Sequence, residues 1–301
     1  MNIRDLKYLV ALADHGHFGR AANACFVSQP ALSMQIMKLE ESLGIKLLER
    51  TNKSVLLTDH GIVIVERARY ILSQIEEVRE IAKSAKDPYS GELRMGVFPT
   101  LAPYLLPLII PQLSKAYPKL SFYLIEAQTA VLIEQLKQGK LHAALLAHPV
   151  IEKSFSSTVL FEEEFLLATP ARHPFTQLKS VKQQDLDNKN LLLLEEGHCM
   201  RDQALALCHR MQASENQNFR ATSLETLRHM ISAGVGITLM PSLACSSSDT
   251  ISYVPFSAPK PTRSIAMYWR SSTAKQALLE NIVTKIKSIL AKQKTVKVMA
   301  S

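Results

Sequence analysis

The sequence predicts an α/β protein in two parts, a small helical part over the first ninety residues and a larger part of alternating strands and helices over the rest. Three observations predict it. Apolar residues recur at helical spacing from Leu6 to Ala85. Asp87-Pro88-Tyr89-Ser90-Gly91 then breaks the pattern as a linker, and from Leu93 onward apolar runs of strand length alternate with helical ones. Composition agrees: 301 residues, 47% apolar and 21% charged, with 10 Gly and 14 Pro, exclude disorder, collagen and a disulfide scaffold. No stretch approaches the roughly 20 apolar residues of a membrane span, and the richest, Tyr104 to Leu113, contains Pro107 and Pro111. The opening residues mix charges of both signs without an apolar leader, so a cytoplasmic protein with no membrane partner is expected. In a reducing compartment Cys25, Cys199, Cys208 and Cys245 are expected as thiols rather than structural disulfides.

The net charge of +8 does not locate a nucleic-acid surface. Residues 1–90 hold 12 Lys or Arg against 11 Asp or Glu, and residues 91–301 hold 23 against 16. A DNA-binding reading of the first part must come from pattern.

Leu6, Leu9, Val10, Leu12 and Ala13 make a first short helix that stops at His15-Gly16. Phe18 to Cys25 makes a second. Ser28 is placed as an N-cap and Pro30 in the first turn of a third helix, which buries Leu32, Ile36, Leu39 and Leu43 and ends at Gly44. Ser33, Gln35 and Lys38 lie on its other faces, where they can reach base edges and phosphates. Two short helices joined by a tight turn read as a helix-turn-helix, against the alternative of a generic three-helix core. Lys46 to Thr58 reads as two short strands, a wing with Arg50 and Lys53 at its tip. From Asp59 to Lys86, Ile64, Ala68, Ile71, Ile75, Val78, Ala82 and Ala85 form a heptad seam, which argues for pairing with a second copy over packing on its own domain.

The larger part reads as Leu93–Phe98, helix Leu101–Tyr117, Leu120–Glu126, helix Ala130–Gln138 and Leu141–Ala147, a βαβαβ unit with parallel strands. It continues with Val159–Thr169, Leu191–Glu195, helices Asp202–Gln212 and Leu224–Ala233, Gly236–Met240, Arg263–Trp269 and helix Lys275–Ala291. Two lobes follow, with crossings near Phe161–Phe165 and near Ile265–Tyr268. Thr100 and Thr129 each follow a strand and precede a helix, where parallel sheets bind ligands; the plainer alternative is that both hydroxyls cap their helices.

Cys199 sits at the mouth of the Asp202 helix beside His198 and Arg201, a setting that favours thiolate, the form that attacks peroxide. Cys208 follows nine residues later, about 13 Å away if both lie on one helix, against roughly 4.4 to 6.8 Å between the Cα atoms of a disulfide. Joining them would require that helix to unwind. Two inert buried thiols are the alternative on spacing alone. Cys-x8-Cys is not a metal signature, and no metal or cofactor is expected.

The run from Asp5 to Gly61, with Phe18-Gly19-Arg20-Ala21-Ala22, Val27-Ser28-Gln29-Pro30-Ala31-Leu32-Ser33, Leu39-Glu40, Leu47-Leu48-Glu49-Arg50 and Leu57-Thr58, closely resembles the winged helix-turn-helix of LysR-type transcriptional regulators. That resemblance implies a winged helix-turn-helix and long linker helix followed by a two-lobed α/β, periplasmic-binding-protein-like effector domain. The expected divisions are 1–58, 59–87 and 88–301, with lobes at about 91–162 plus 268–301 and at 163–267. It further implies double-stranded DNA as partner, contacted by Arg4, Ser28, Gln29, Pro30, Ser33, Gln35, Lys38, Arg50 and Lys53. A homo-oligomer, as a dimer of dimers, and RNA polymerase are the implied protein partners.

Gly197-His198-Cys199-Met200-Arg201-Asp202-Gln203-Ala204, then Cys208, Phe219 to Arg228, Pro99-Thr100, Pro103 to Pro107 and Glu126 to Thr129 are similar to the peroxide-sensing branch of the same family. This implies hydrogen peroxide as signal, Cys199 as the peroxidatic and Cys208 as the resolving cysteine of a reversible disulfide, and a glutaredoxin- or thioredoxin-type reductant. Thr100, Thr129, His198, Asp202 and Arg263 match residues that place peroxide or tune the thiol, with Arg270 a second choice to Arg263. No enzymatic turnover is implied. The sequence departs from the pattern at Asn218, where a His is common, and at Met34 and Met37, where polar or basic side chains are usual. The competing readings are a LysR-type regulator with a small metabolite between its lobes, and a thiol peroxidase fused to a DNA-binding module.

Overall fold

The computed structural model describes residues 1–50, 55–84, 87–197, 200–201 and 214–299. They fall into two compact units, residues 1–85 with 137–140 and residues 86–136 with 141–301.

In the first unit α1 (Ile3–His15) starts in a capping box between Asn2 and Asp5 and ends at left-handed Gly16. α2 (Phe18–Ala24) and α3 (Gln29–Leu43) follow, α3 capped by the Ser28 hydroxyl and closed by Gly44 as the sequence indicates. Leu9, Leu12, Ala21, Leu32, Ile36 and Leu39 make the core. Strands β1 (Leu48–Arg50) and β2 (Val55–Leu57) pair antiparallel. Buried Glu40 anchors this wing, accepting from the backbone N–H groups of Leu47 and Leu48 at 2.9 and 3.3 Å and pairing with Lys46. The three helices and wing are a winged helix-turn-helix. In α4 (Asp59–Ser84) the seam divides: Ile64 and Ala68 pack on or into this unit, whereas Ile71 and Val78 are exposed.

The second unit begins β3 (Gly91–Val97), α5 (Ala102–Ala116), β4 (Leu120–Glu126), α6 (Thr129–Lys137) and β5 (Ala143–His148), with β3 parallel to both β4 and β5. β6 (Phe155–Pro170) runs 16 residues and serves two cores. Up to Glu164 it pairs with β11 (Thr262–Arg270); beyond that it pairs with β9 (Thr238–Pro241) and β10 (Ile251–Val254). The first core gathers Leu93, Val97, Leu105, Leu132, Leu145 and Met267 under α8 (Gln276–Leu290). The second gathers Phe165, Leu167, Leu191 to Leu194, Leu227, Ile231 and Leu239, and includes α7 (Leu224–Ser232) and the parallel pair β7 (Asn190–Leu194) and β8 (Ser214–Ala221).

The outward crossing falls at Glu164–Phe165. The return falls at Pro261–Thr262, where Phe165 N–H donates to the Pro261 carbonyl at 2.8 Å, earlier than the expected Ile265–Tyr268. Those four residues lie wholly in the first core, paired with β5, and their apolar run carried no mark of which core they serve. Three strands had no counterpart in the sequence reading: polar β8, short β10 and the basic β12 (Val296–Val298), which pairs with β6. The helix expected over Asp202–Gln212 lies outside the described residues. No helix among the described residues is long and apolar enough to cross a membrane.

Candidate functional site

The polar centre of the second unit is built on the crossing. Arg263, near the start of β11, and Glu163, just before the crossover of β6, form an ion pair with side chains 1% and 0% exposed. Arg263 Nε donates to Glu163 Oε1 at 2.8 Å, Nη1 to Thr100 Oγ1 at 3.0 Å and Nη2 to the Thr100 carbonyl at 3.1 Å. Phe98 and Phe165, one from each core, lie 5.4 and 5.8 Å from the guanidinium carbon and close it off from water. Glu163 Oε2 accepts from Leu243 N–H. The pair therefore meets its desolvation cost with a full set of partners, and it ties α5, β6 and β11 together. A hydroxyl that accepts from a cation is polarised as a donor, which makes Thr100 Oγ1 the stronger hydrogen-bond donor.

Thr129 is the contrast. Its Oγ1 is buried and has no hydrogen-bond partner among the described residues. The helix-capping alternative thus describes neither hydroxyl: Thr100 is turned to Arg263, and α5 begins at Leu101 without a side-chain cap. Beside Thr129, the Gln128 side chain lies against Gly197. A Cβ on Gly197 would sit 2.6 Å from Gln128 Oε1, and Gly197 holds φ +91°, so only glycine fits. Two residues before Cys199, the chain thereby comes close to the start of α6. On the other side Met200 is buried in the second core and Arg201 Nη1 donates to the Leu194 carbonyl at 3.0 Å. His198, Cys199, Asp202 and Cys208 lie outside the described residues, as does the side chain of Asn218.

The remaining expectations sort on geometry. Arg270 is buried and donates to the carbonyls of Leu136 and Leu141 at 2.7 and 2.8 Å, a brace between α6 and β5. Cys25 packs on the first unit's core. Burial pushes the Cys245 thiol up to about 12, and its Sγ donates to the Pro241 carbonyl. A cavity of about 510 Å³ along β6 is lined by Glu162, Glu164, Lys260, Lys294 and Cys245 among others, and Lys260 is already paired with Glu164. None of the expected redox or peroxide residues that are described lines it. Sequence reasoning missed Glu163 and Gln128. The acidic run Glu162-Glu163-Glu164 inside an otherwise apolar strand was the available signal, since a buried carboxylate needs a cation.

On the first unit, Arg4, Gln29, Pro30 and Lys38 are exposed and Ser33 is half-buried. The Ser28 hydroxyl accepts from Ala31 N–H as a cap. Gln35 differs from expectation: its Nε2 donates to buried Asp5 at 2.6 Å, which commits the amide nitrogen to bracing α3 on α1. Lys53 lies outside the described residues, as does the Arg50 side chain. The sequence reading passed over Phe26, which is 95% exposed in the turn before α3 with φ 56°.

Comparison with known proteins bears on both units. Residues 3–62 match the family described as bacterial regulatory helix-turn-helix protein, lysR family, and residues 86–289 match the LysR substrate binding domain. The hydrogen peroxide-inducible genes activator of Dickeya chrysanthemi is 48% identical over 290 residues, 95% of each chain. A full-length OxyR mutant from Pseudomonas aeruginosa superposes with TM-score 0.78 at 38% identity, covering 95% of both chains. A hydrogen-peroxide-bound OxyR mutant from Corynebacterium glutamicum gives 0.66 at 30% identity, over 97% of this chain and 93% of the other.

Proposed function

Because the chain belongs to the LysR family of bacterial helix-turn-helix regulators, we propose that it is a cytoplasmic, DNA-binding transcriptional regulator that senses hydrogen peroxide through Cys199 and Cys208. Residues 1–58 bind the operator, residues 59–87 pair with a second copy, and residues 88–301 carry the sensor. The observation that carries the reading is the close approach of Gly197 to the Gln128 side chain, next to a Thr129 hydroxyl without a partner among the described residues and two residues before Cys199.

In this reading the Cys199 thiolate attacks one peroxide oxygen. The O–O bond breaks, a sulfenic acid forms, and the second oxygen leaves as hydroxide that a proton converts to water. Thr129 and polarised Thr100 donate to the peroxide oxygens, and Arg263 holds Thr100 in place. The Cys208 thiol then displaces water from the sulfenic acid, giving a disulfide; a dithiol reductant of the glutaredoxin or thioredoxin type returns both thiols. The segment between the cysteines refolds to close the bond, and the altered packing of sensor domains re-spaces the DNA-binding pairs before RNA polymerase. One oxidation per switch is required and no metabolic turnover.

The test is a peptide map of the full chain before and after one equivalent of peroxide. Loss of two hydrogen atoms, localised to a Cys199–Cys208 linkage and absent in Cys199→Ser, is the expected result. Both thiols remaining free, or Cys25 reacting as fast as Cys199, would refute it.

A further inference from the structure

On α3 the face turned furthest from the core carries Met34 together with the exposed carboxylate of Glu41. Leu32, Ile36 and Leu39 are fully buried, and at roughly 100° per residue Met34 stands on the opposite face, with Met37 beside it. Met34 is 52% exposed and Met37 40%. Exposed Lys38 lies one turn beyond Met34 and exposed Glu41 one turn beyond Met37, with exposed Gln29 and Pro30 at the start of the helix, so the two methionines sit among groups of both charges. The Gln35 amide nitrogen already donates to Asp5, so the two methionines share the helix's outer faces with Gln29, Ser33 and Lys38 as the side chains able to donate to a base edge.

We infer that Met34 and Met37 read the operator through the C5 methyl groups of thymine in the major groove. The inference rests on α3 being the helix that enters the groove. Thymine alone among the four bases presents a methyl there, and an apolar side chain selects it by burying that methyl while leaving the polar edges of other bases without a partner. Methionine suits this task, since three rotatable bonds and a polarisable sulfur let it follow a methyl whose position varies from step to step. The contact releases no counterions, so it adds sequence preference without adding salt dependence.

The test starts from in vitro selection of the preferred duplex by the full-length protein. Each thymine is then replaced singly by deoxyuridine, which pairs identically and lacks only the methyl. The unmodified protein is expected to lose about fourfold in affinity at one or two positions per half-site, the worth of one buried methyl. The Met34→Ala, Met37→Ala double variant is expected to lose nothing at those positions and to keep the slope of log K against log salt, whereas Lys38→Ala lowers that slope by about one. A Met34→Leu, Met37→Leu variant, which keeps apolar bulk, retains the deoxyuridine effect, and an unchanged thermal midpoint shows that each variant is folded. Indifference of the unmodified protein to every deoxyuridine overturns the inference while leaving α3 as the recognition helix, and so does equal sensitivity in the alanine variant. Selection of no duplex at all removes the recognition helix and the inference together.

Discussion

Two strand-to-helix junctions of the first lobe, β3 to α5 and β4 to α6, each place a threonine at the same point, and the two hydroxyls meet opposite fates. Thr100 is bound to Arg263 and through it to Glu163, so its side chain is part of what holds the crossing together. Thr129 is only half-buried as a residue, yet its Oγ1 is sheltered and has no partner among the described residues. A buried hydroxyl without a hydrogen bond carries a desolvation cost of about 1 to 3 kcal/mol. The comparison separates a hydroxyl that the fold already holds from one that no described residue holds.

The sharpest way to break this contrast is at the ion pair. Arg263→Ala strands Glu163 in a dry setting and is expected to cost about 3 to 5 kcal/mol in urea unfolding, while Arg263→Met with Glu163→Leu, which removes both charges, costs much less. Equal losses in the two variants would show that the crossing is held by packing rather than charge.

Next come the threonines themselves. Thr100→Val should cost about 1 to 3 kcal/mol by leaving Arg263 short of an acceptor, and Thr129→Val, which removes a hydroxyl that no described residue satisfies, should leave stability unchanged or raise it by up to about 1 to 3 kcal/mol. Thr129→Val should nonetheless slow peroxide oxidation of Cys199 on the order of tenfold or more in stopped-flow thiol assays, as loss of a placed donor does. Similar melting losses for both valines would dissolve the distinction.

Gly197→Ala probes the second junction from the other side. Its left-handed backbone and the nearness of Gln128 Oε1 predict a loss of about 1 to 2 kcal/mol in equilibrium unfolding. Gln128→Ala should relieve only the steric share, leaving the backbone share in place.

The smallest effect needs no mutation. The Cys245 thiol, pushed up to about 12 by burial, has little thiolate at pH 8, and that fraction rises tenfold for each pH unit until the pKa is reached. Native alkylation should therefore reach Cys25 before Cys245, by mass spectrometry of labelled peptides. A faster Cys245 would mean that the second lobe opens on the labelling timescale.

Much of this arrangement was legible in the sequence where local chemistry decides it. Ser28 and Gly44 marked the limits of α3, Gly16 ended α1, and the alternating runs after Leu93 gave the parallel strands. Thr100 and Thr129 were singled out by their places between strand and helix, and Arg263 only through the family resemblance. What was not legible depends on distant partners. Nothing local to Gln35 tells that Asp5, thirty residues earlier, takes its amide. Glu163 reads as one of three adjacent glutamates, and only the fold reveals that the middle one is buried against Arg263, one hundred residues on. The polar Ser214–Ala221 stretch lacks the apolar run that parallel strands usually show, and its pairing with β7 makes it a strand. Two of these three cases concern polar groups, whose positions follow from satisfying a charge or a donor rather than from periodicity.

The passage of β6 through both cores has a mechanical meaning. Side chains alternate along a strand, so a slip of one residue would turn every inward group outward, and here it would do so in two cores at once. Sliding is therefore closed to this molecule as a way of moving one lobe on the other. Rotation about the strand leaves that register intact, and at Glu164–Phe165, where the strand exchanges one set of neighbours for another, it works against the Arg263–Glu163 pair and the bond from Phe165 N–H to the Pro261 carbonyl. The two lobes are joined as plates on a torsion bar: register bars translation along the common strand, and the ion pair at the crossing resists rotation about it.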